Sequence, residues 1–272
     1  FTPVYHSFAK VISENDRQVI EMELISSNGR YEMDFDTYDA TIPTNAKMVV
    51  LCSPHNPGGC VWTRSELEQL AAFVRRHDLI LVSDEIHHDL TFGAKHTPMA
   101  LIKGIEDRLI MMTSTTKTFN IAGGHVGNVI IENPDLQVRF TKRMAALGLS
   151  PNSFGLHMAT AAYSQDGATW VDELIKYLDG NRELFDAGIN AIPGLKSMRL
   201  EATYLAWVDF SGTGMTKEDF IARVENHAKI AVNYGSTFGS GGEHFLRFNI
   251  GTTRANVKLA VVKMQEAFKD LQ

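Results

Sequence analysis

The sequence predicts an α/β fold, with a large domain on a mainly parallel sheet and a smaller C-terminal α/β domain. Two observations predict it. Short apolar runs alternate with amphipathic helical segments up to about residue 164, and a shorter series of strands and helices follows a long helical segment. Strands separated by helices require crossover connections, which pair strands in parallel. We therefore predict a large domain over residues 1–165, a connecting long helix over 166–190 and a small domain over 191–272.

The strands are indicated by short apolar runs that end at turn residues, a pattern typical of strands buried in a sheet. In the large domain they are predicted over residues 17–24, 47–52, 79–83, 108–113 and 128–131. In the small domain they are predicted over residues 204–210 and 246–250.

The helices are indicated by capping residues followed by a helical period. Thr63 and Glu66 match a capping box, in which each side chain bonds the other residue's free backbone N–H. Apolar residues at the spacing i, i+3, i+4, i+7 follow and predict one buried face: Leu67, Leu70, Ala71 and Val74. Asn133 and Pro134 are expected to start another helix and Gly148 to end it. Further helices are predicted over residues 170–189, over 216–227 and from about 254.

Composition excludes several classes of protein. The net charge of -6 and the pI near 5.9 give no basic footprint for nucleic acid. No apolar stretch is long enough to span a bilayer, so no membrane partner is predicted. Two cysteines are too few for a disulfide framework, and reduced thiols favour a cytoplasmic location. The run His87-His88-Asp89 completes no tetrahedral ligand set, so no metal is predicted.

Polar groups follow three successive predicted strands. Asn56 follows the first, Asp84 and His87 follow the second, and Ser114 and Lys117 follow the third. Because ligands of open α/β sheets bind at the carboxyl ends of the strands, these residues point to one site. A lone lysine or aspartate in such a place is ordinarily a solvent-exposed residue or a helix cap. Here a single cation lies in a hydroxyl-rich turn, which suits a phosphate beside a covalently reactive amine.

Three motifs in this order resemble those of class I/II aminotransferases, the fold-type-I enzymes that depend on pyridoxal 5'-phosphate (PLP). They read SPHNPGG at 53–59, SDEIH at 83–87 and STTKTFN at 114–120. The likeness is strongest to the MalY/PatB-type cystathionine β-lyases, which are carbon–sulfur lyases. TPVY at 2–5, VW at 61–62 and DEIH at 84–87 are characteristic of that group. The resemblance covers the whole chain and implies a PLP-dependent transferase-like large domain.

The resemblance implies a role for each candidate residue that touches the cofactor. Lys117 would hold PLP covalently and then remove the substrate Cα proton. Asp84 would pair with the ring nitrogen, and Asn56 and His87 would bond the ring's phenolic oxygen. Tyr5 would stack on the ring.

Two more roles concern anionic groups. Ser114 would bind the cofactor phosphate, and Arg247 would bind the substrate carboxylate through its two-pronged guanidinium. Two positions depart from the commoner pattern. His125 stands where many transaminases have a phosphate-binding arginine, and the resemblance assigns it no role. Gly58 stands where threonine is commoner and is expected to loosen the turn around Asn56.

Three functions follow from the resemblance and stay open at this point. The first is a lyase that releases a thiol, pyruvate and ammonia from a cysteine S-conjugate. The second is an aminotransferase that acts on an amino acid. The third is a non-catalytic, truncated subunit. His87 and the segment around Tyr5 favour the lyase, and the intact Lys117 and Asp84 argue against a non-catalytic role.

Further expectations rest on the family as a whole. The family has roughly another domain's share of chain upstream of the segment that corresponds to this one, so we expect the family's N-terminal part to be missing here. The 272-residue chain alone is therefore expected to bind PLP weakly. A homodimer is also expected, since neighbouring subunits of the family complete each other's sites.

Overall fold

A computed structural model describes residues 1–271 and divides the chain into two compact units. The terminal unit comprises Phe1–Met33, His55–Cys60 and the chain from Ile175 onward. The central unit comprises Asp34–Pro54 and Val61–Leu174. The domain borders that the sequence predicts, at residues 165 and 190, stay a prediction.

The secondary structure alternates helices and strands through both units. The helices are α1 (Ser7–Glu14), α2 (Phe35–Thr41), α3 (Arg64–Arg76), α4 (Pro134–Ala146), α5 (Ser153–Ala162), α6 (Gln165–Asn190), α7 (Lys217–Ala222) and α8 (Arg254–Ala267). The strands are β1 (Ile25–Ser27), β2 (Arg30–Glu32), β3 (Met48–Cys52), β4 (Ile80–Asp84), β5 (Leu109–Thr113), β6 (Asn128–Ile130), β7 (Lys196–Ser197), β8 (Leu205–Asp209), β9 (Asn233–Tyr234) and β10 (Phe245–Asn249).

The central unit is built on a sheet with the strand order β3-β4-β5-β6. β3, β4 and β5 are parallel neighbours, whereas β6 pairs with β5 in the antiparallel direction. This confirms the predicted α/β class with a mainly parallel sheet. In the register, Cys52 lies opposite Asp84 and Asp84 lies opposite Met112, so the carboxyl ends of the three strands meet at one edge.

Helix α3 forms for the reasons that its sequence indicates. The Thr63 hydroxyl accepts the Glu66 N–H, and the Glu66 carboxylate accepts the Thr63 N–H at 2.7 Å. This confirms the predicted capping box. The predicted apolar face is buried, together with Phe73. Helix α4 likewise begins after Asn133, whose side chain accepts two backbone N–H groups, and has proline in its first turn.

The terminal unit carries an antiparallel sheet with the strand order β7-β8-β10-β9. Strand β8 does not alternate between core and solvent, since four of its five residues are buried. Large side chains that are almost fully buried fill this unit's core: Trp207, Phe210, Phe220, Leu246, Met264 and Phe268. Helix α7 ends at Ala222, earlier than predicted, and a π-helical turn continues it to His227.

One predicted strand is wrong. Residues 17–24 form no strand. Their pairing is confined to a bridge between Thr2 and Glu23, flanked by bonds from Thr2 N to the Met22 carbonyl and from Leu24 N to the Thr2 carbonyl. A strand needs a partner over several residues, which this segment does not have. The sequence also left α1, α2 and α5 unpredicted.

Within residues 1–271, no helix is both long and apolar enough to cross a membrane.

Candidate functional site

The first candidate cluster lies in the central unit, where β4 ends. Asp84 is the last residue of β4 and is buried, with 8% of its surface exposed. Its carboxylate accepts the Ile86 N–H at 3.2 Å. Burial raises the pKa of the Asp84 carboxyl to about 6, although that hydrogen bond and the charge of Lys117 both lower it. His87 follows in the same turn and is also buried. A carboxylate in this place favours a cationic partner.

Lys117 lies in the turn that follows β5, next along the sheet from β4. Its side chain is half-buried and makes no hydrogen bond or ion pair with any of residues 1–271. The turn is shaped by backbone bonds from Phe119 N to the Thr115 carbonyl and from Ile121 N to the Thr116 carbonyl. A half-buried amine without a partner, in the electrostatic field of a buried carboxylate, suits a covalent bond to a carbonyl ligand.

Ser114 is the first residue of the turn that carries Lys117, residues 114–121, which we call the lysine turn, and it is buried. Its hydroxyl lies 2.8 Å from the Val126 carbonyl and 2.7 Å from the Thr116 hydroxyl, and accepts the Thr116 N–H at 3.1 Å. These bonds fix the hydroxyl in place. His125, by contrast, is exposed at the end of a short 3₁₀ turn, with a left-handed φ of 43°. Its ring makes no hydrogen bond to any residue in the described chain.

The sequence indicates that the charge at Glu85 needs a partner but assigns the residue no role, and in the structure its side chain is firmly anchored in the turn after β4. It is 1% exposed, and three donors reach its carboxylate. These are the Ser83 hydroxyl at 2.8 Å, the Met99 N–H at 2.9 Å and the His96 ring at 2.8 Å. The sequence signal was a charged residue directly after a buried strand, which requires partners. No local sequence pattern identifies Ser83, His96 and Met99 as the groups that bond Glu85.

The second candidate cluster lies in the terminal unit and joins Tyr5, Asn56 and Arg247. The Tyr5 N–H donates to the Asn56 carbonyl at 3.1 Å, and Asn56 Oδ1 accepts from Arg247 Nη1 at 2.7 Å. The Tyr5 ring is half-buried, and its centroid lies 4.9 Å from that of His6 and 5.7 Å from that of Phe8. The structure therefore brings these three predicted residues together.

Arg247 is held on several sides. It lies in β10, opposite Trp207 of β8 and Asn233 of β9. Its Nη2 donates to Asn233 Oδ1 at 2.7 Å, and its guanidinium carbon lies 4.9 Å from the centroid of the Phe238 ring. Amide oxygens and an aromatic face orient a guanidinium without neutralising its charge. Asn233 and Phe238 were missed in the sequence, which carries no signal for them.

The turn around Asn56 is tighter than expected. Gly58 N–H donates to His55 Nδ1 at 3.2 Å, and a Cβ on Gly58 would lie 2.4 Å from Cδ2 of Tyr31. The expectation that Gly58 loosens this turn is wrong, because the Tyr31 ring fills the space. His55 is 1% exposed, and burial lowers its pKa to about 3, so it stays neutral near pH 7.

Comparison with known proteins identifies the family that the chain matches. The family model described as aminotransferase class I and II matches residues 1–264. Cystathionine beta-lyase PatB of Bacillus subtilis is 33% identical over 270 residues, which cover 97% of this chain and 70% of PatB. Protein MalY of Escherichia coli is 32% identical, over 98% of this chain and 69% of MalY.

A solved structure is also similar to the whole length of this chain. Cystalysin from Treponema denticola, whose crystal structure contains a pyridoxal 5'-phosphate cofactor, superposes with a TM-score of 0.93 at 36% identity. That likeness covers 100% of this chain and 70% of cystalysin.

Proposed function

The chain belongs to the class I and II aminotransferase family, and we propose that it is a PLP-dependent carbon–sulfur β-lyase. The reaction is the elimination of a thiol from a cysteine S-conjugate, with pyruvate and ammonia as the other products. Within this family of PLP enzymes, the observation that carries the proposal is a half-buried Lys117 whose side chain makes no hydrogen bond or ion pair within residues 1–271. Its charge acts on the buried Asp84. The likeness of nearly the whole chain to cystathionine beta-lyases favours elimination over transamination.

The cofactor is pyridoxal 5'-phosphate, and the central unit's donor set fits it. The Lys117 amine suits the aldehyde carbon, and the buried Asp84 carboxylate suits a protonated ring nitrogen. When bound, the cofactor supplies an electron-accepting ring that stabilises negative charge on the substrate Cα. Asp84 keeps that ring protonated, because a buried carboxylate favours a cationic partner.

The remaining cofactor contacts are proposals for single residues. Ser114 binds the phosphate through its hydroxyl, whose hydrogen turns from the Val126 carbonyl to the phosphate. Asn56 and His87 bond the phenolic oxygen, and both side chains are buried. Tyr5 stacks on the ring, supported by its position beside Asn56.

Arg247 binds the substrate α-carboxylate. The support is its charge and its orientation by Asn56 and Asn233, since a guanidinium with a fixed plane recognises a carboxylate through two parallel bonds. An amino-acid substrate carries that carboxylate whatever its sulfur substituent, so Arg247 selects the class of substrate and not the leaving group.

In the elimination, the amine of Lys117 removes the Cα proton, and the Cβ–S bond breaks with its electron pair leaving on sulfur. A thiolate and 2-aminoacrylate result. Water converts the 2-aminoacrylate into pyruvate and ammonia. No oxidant and no keto acid takes part, and this distinguishes the reaction from transamination.

The test is turnover of cystathionine by the purified protein with added PLP and without keto acid. Thiol and pyruvate should appear in equal amounts. Product formation that needs a keto acid would instead identify an aminotransferase. A protein that binds PLP and converts cystathionine under neither condition would support the non-catalytic alternative.

We further propose a homodimer located in the cytoplasm. Apolar side chains exposed on α5, such as Phe154 at 76% and Leu156 at 50%, support an interface between copies. Sedimentation at micromolar concentration should give twice the mass of the chain, and a monomer there would contradict the dimer.

A further inference from the structure

A side-chain hydrogen bond joins the two turns that carry the candidate residues of the central unit. The Thr118 hydroxyl donates to Asp89 Oδ2 at 2.9 Å. Thr118 is 1% exposed and follows Lys117 directly, whereas Asp89 lies two residues after His87. This bond connects the lysine turn with the turn that leaves β4, across 29 residues of sequence.

The other oxygen of the Asp89 carboxylate lies near the His88 ring. His88 Nε2 lies 3.2 Å from Asp89 Oδ1, and His88 Nδ1 lies 2.7 Å from the Glu85 carbonyl oxygen. A carbonyl oxygen only accepts, so Nδ1 donates there and the ring is oriented towards Asp89. Asp89 Oδ2 therefore accepts from Thr118, while Asp89 Oδ1 faces the His88 ring.

Glu85, the residue in this series of contacts that lies farthest from Lys117, is firmly held. Glu85 is buried, and its carboxylate accepts from Ser83, Met99 and His96. Buried polar groups that are fully bonded resist displacement. Glu85 also donates its backbone N–H to the Met112 carbonyl of β5 at 2.8 Å. The contacts therefore run from a fixed point beside Asp84, through His88 and Asp89, to the residue next to Lys117.

The lysine turn's other bonds named above do not connect it with the turn after β4. The Ser114 hydroxyl contacts Thr116 and Val126, and the backbone bonds of the turn stay within residues 115–121. They shape the turn locally. They do not set its distance from the turn that carries Asp84 and His87.

We propose that Asp89 and Thr118 are positioning residues that fix the Lys117 amine relative to Asp84. The proposal rests on the proposed function, in which Lys117 holds the cofactor whose ring nitrogen Asp84 pairs with. One rigid ligand must satisfy both residues at once, so a displaced lysine turn weakens binding and slows proton removal. A misplacement of about an ångström costs on the order of a hundredfold in rate.

The experiment replaces Thr118 with valine, which keeps the shape and removes the hydroxyl, and with serine, which keeps the hydroxyl. Cofactor-free protein is titrated with PLP and followed by visible absorption, and cystathionine turnover is measured at saturating PLP. For Thr118→Val we expect half-saturation at roughly tenfold higher PLP and a kcat lower by about ten- to a hundredfold, with KM within twofold. Thr118→Ser should restore both values to within about threefold of wild type.

Thr41→Val is the matched control, because the exposed Thr41 donates its hydroxyl to the Thr37 carbonyl of its own helix, α2. It should change nothing. Asp89→Ala is the second variant, and its PLP titration and kcat test the positioning role instead if Thr118→Val does not fold. In its background, Thr118→Val should add less than a twofold further loss, since the bond is already gone.

The results separate two failures. If the wild-type protein neither binds PLP nor turns over cystathionine, the proposed function is wrong. If the wild type does both, and Thr118→Val or Asp89→Ala equals it in PLP titration and in kcat, the positioning role is wrong. A Thr118→Ser variant as impaired as Thr118→Val would also overturn it, because packing and not the hydroxyl would then matter.

Discussion

The two candidate clusters are assembled in different ways. In the central unit, Asp84 and Lys117 follow neighbouring strands of one sheet, and the backbone alone brings both turns to the same edge. In the terminal unit, Tyr5, Asn56 and Arg247 come from segments far apart in the chain and meet through hydrogen bonds. The first arrangement rests on strand pairing, to which the bond between Thr118 and Asp89 adds a side-chain contact, whereas the second rests on side-chain contacts throughout. Substitutions of Lys117 and Asp84 themselves should therefore alter chemistry more than the fold.

The largest effect is expected at Lys117. Lys117→Ala removes the amine that binds the cofactor and takes the proton, so activity should fall by at least about a thousandfold. The visible absorption of bound PLP should disappear, while the melting temperature of the cofactor-free protein stays close to that of wild type. Absorption spectra, pyruvate assays and thermal unfolding measure the three quantities.

Lys103→Ala is the control, since Lys103 is an exposed lysine of the same unit. It should behave as wild type. Cofactor that borohydride still fixes covalently to the Lys117→Ala protein would assign the reactive amine to another lysine.

Asp84 should give the next largest effect. Its ionised carboxylate lowers the stability of the folded protein, although it supports the proposed activity. In the unfolded chain the carboxyl ionises near its ordinary pKa of 3.8, whereas in the folded protein it ionises with a pKa of about 6. Between these values the folded state binds more protons, so its stability falls as pH rises. Above about pH 6 the difference between 6 and 3.8 corresponds to about 3 kcal/mol.

Asp84→Asn should therefore stabilise the cofactor-free protein at pH 7, by up to about 3 kcal/mol, and this gain should vanish near pH 4. Its lyase activity should nevertheless fall, because the ring nitrogen loses its anionic partner. Urea unfolding from pH 4 to 8 measures the stability. The exposed Asp172, changed to asparagine, serves as the control. A variant that is less stable than wild type at pH 7 would contradict the expected cost of the buried charge.

Arg247 probes the terminal unit's cluster. Arg247→Lys keeps the charge but loses the two-pronged fork and the orientation by Asn56 and Asn233. Bonds to a charged group contribute about 1.5–3 kcal/mol, so KM should rise by roughly ten- to a hundredfold. The kcat and the cofactor absorption should change little. Arg199→Lys, at a position where 71% of the side chain is exposed, is the control. An unchanged KM would remove Arg247 from the substrate site.

The two regions also differ in how far sequence predicts them. Helix α3 is local, and its capping residues and buried face follow from residues within a few positions of each other. The polar strand ends were also predictable, because parallel neighbours share an edge. Residues 17–24 have strand-like composition, but a strand depends on a partner that local sequence does not specify. The bond between Asn56 and Arg247 spans 191 residues, and no periodicity reveals such a contact. Only the family resemblance linked these two residues.

The smallest expected effect concerns the packing that supports Asn56. Gly58 has no room for a side chain, because its Cβ would lie 2.4 Å from the Tyr31 ring. That ring cannot retreat freely, since Tyr31 is 2% exposed and its hydroxyl accepts the Trp207 indole N–H at 3.0 Å. Overpacking a filled core costs about 1–3 kcal/mol, and we expect Gly58→Ala to fall near the lower end, as a single methyl is added.

Urea unfolding measures this cost, with Gly123→Ala as the matched control because a Cβ on Gly123 would meet nothing within 4 Å beyond its chain neighbours. A double-mutant cycle with Tyr31→Ala tests the cause. Once the ring is removed, Gly58→Ala should cost roughly half as much or less, since the remaining close atom is His55 Nδ1, 2.9 Å from the added Cβ. An equal cost with and without the Tyr31 ring would show that the alanine strains the turn itself, at His55 or through its backbone. In that case the turn, and not the aromatic packing, would be what holds Asn56 beside Arg247.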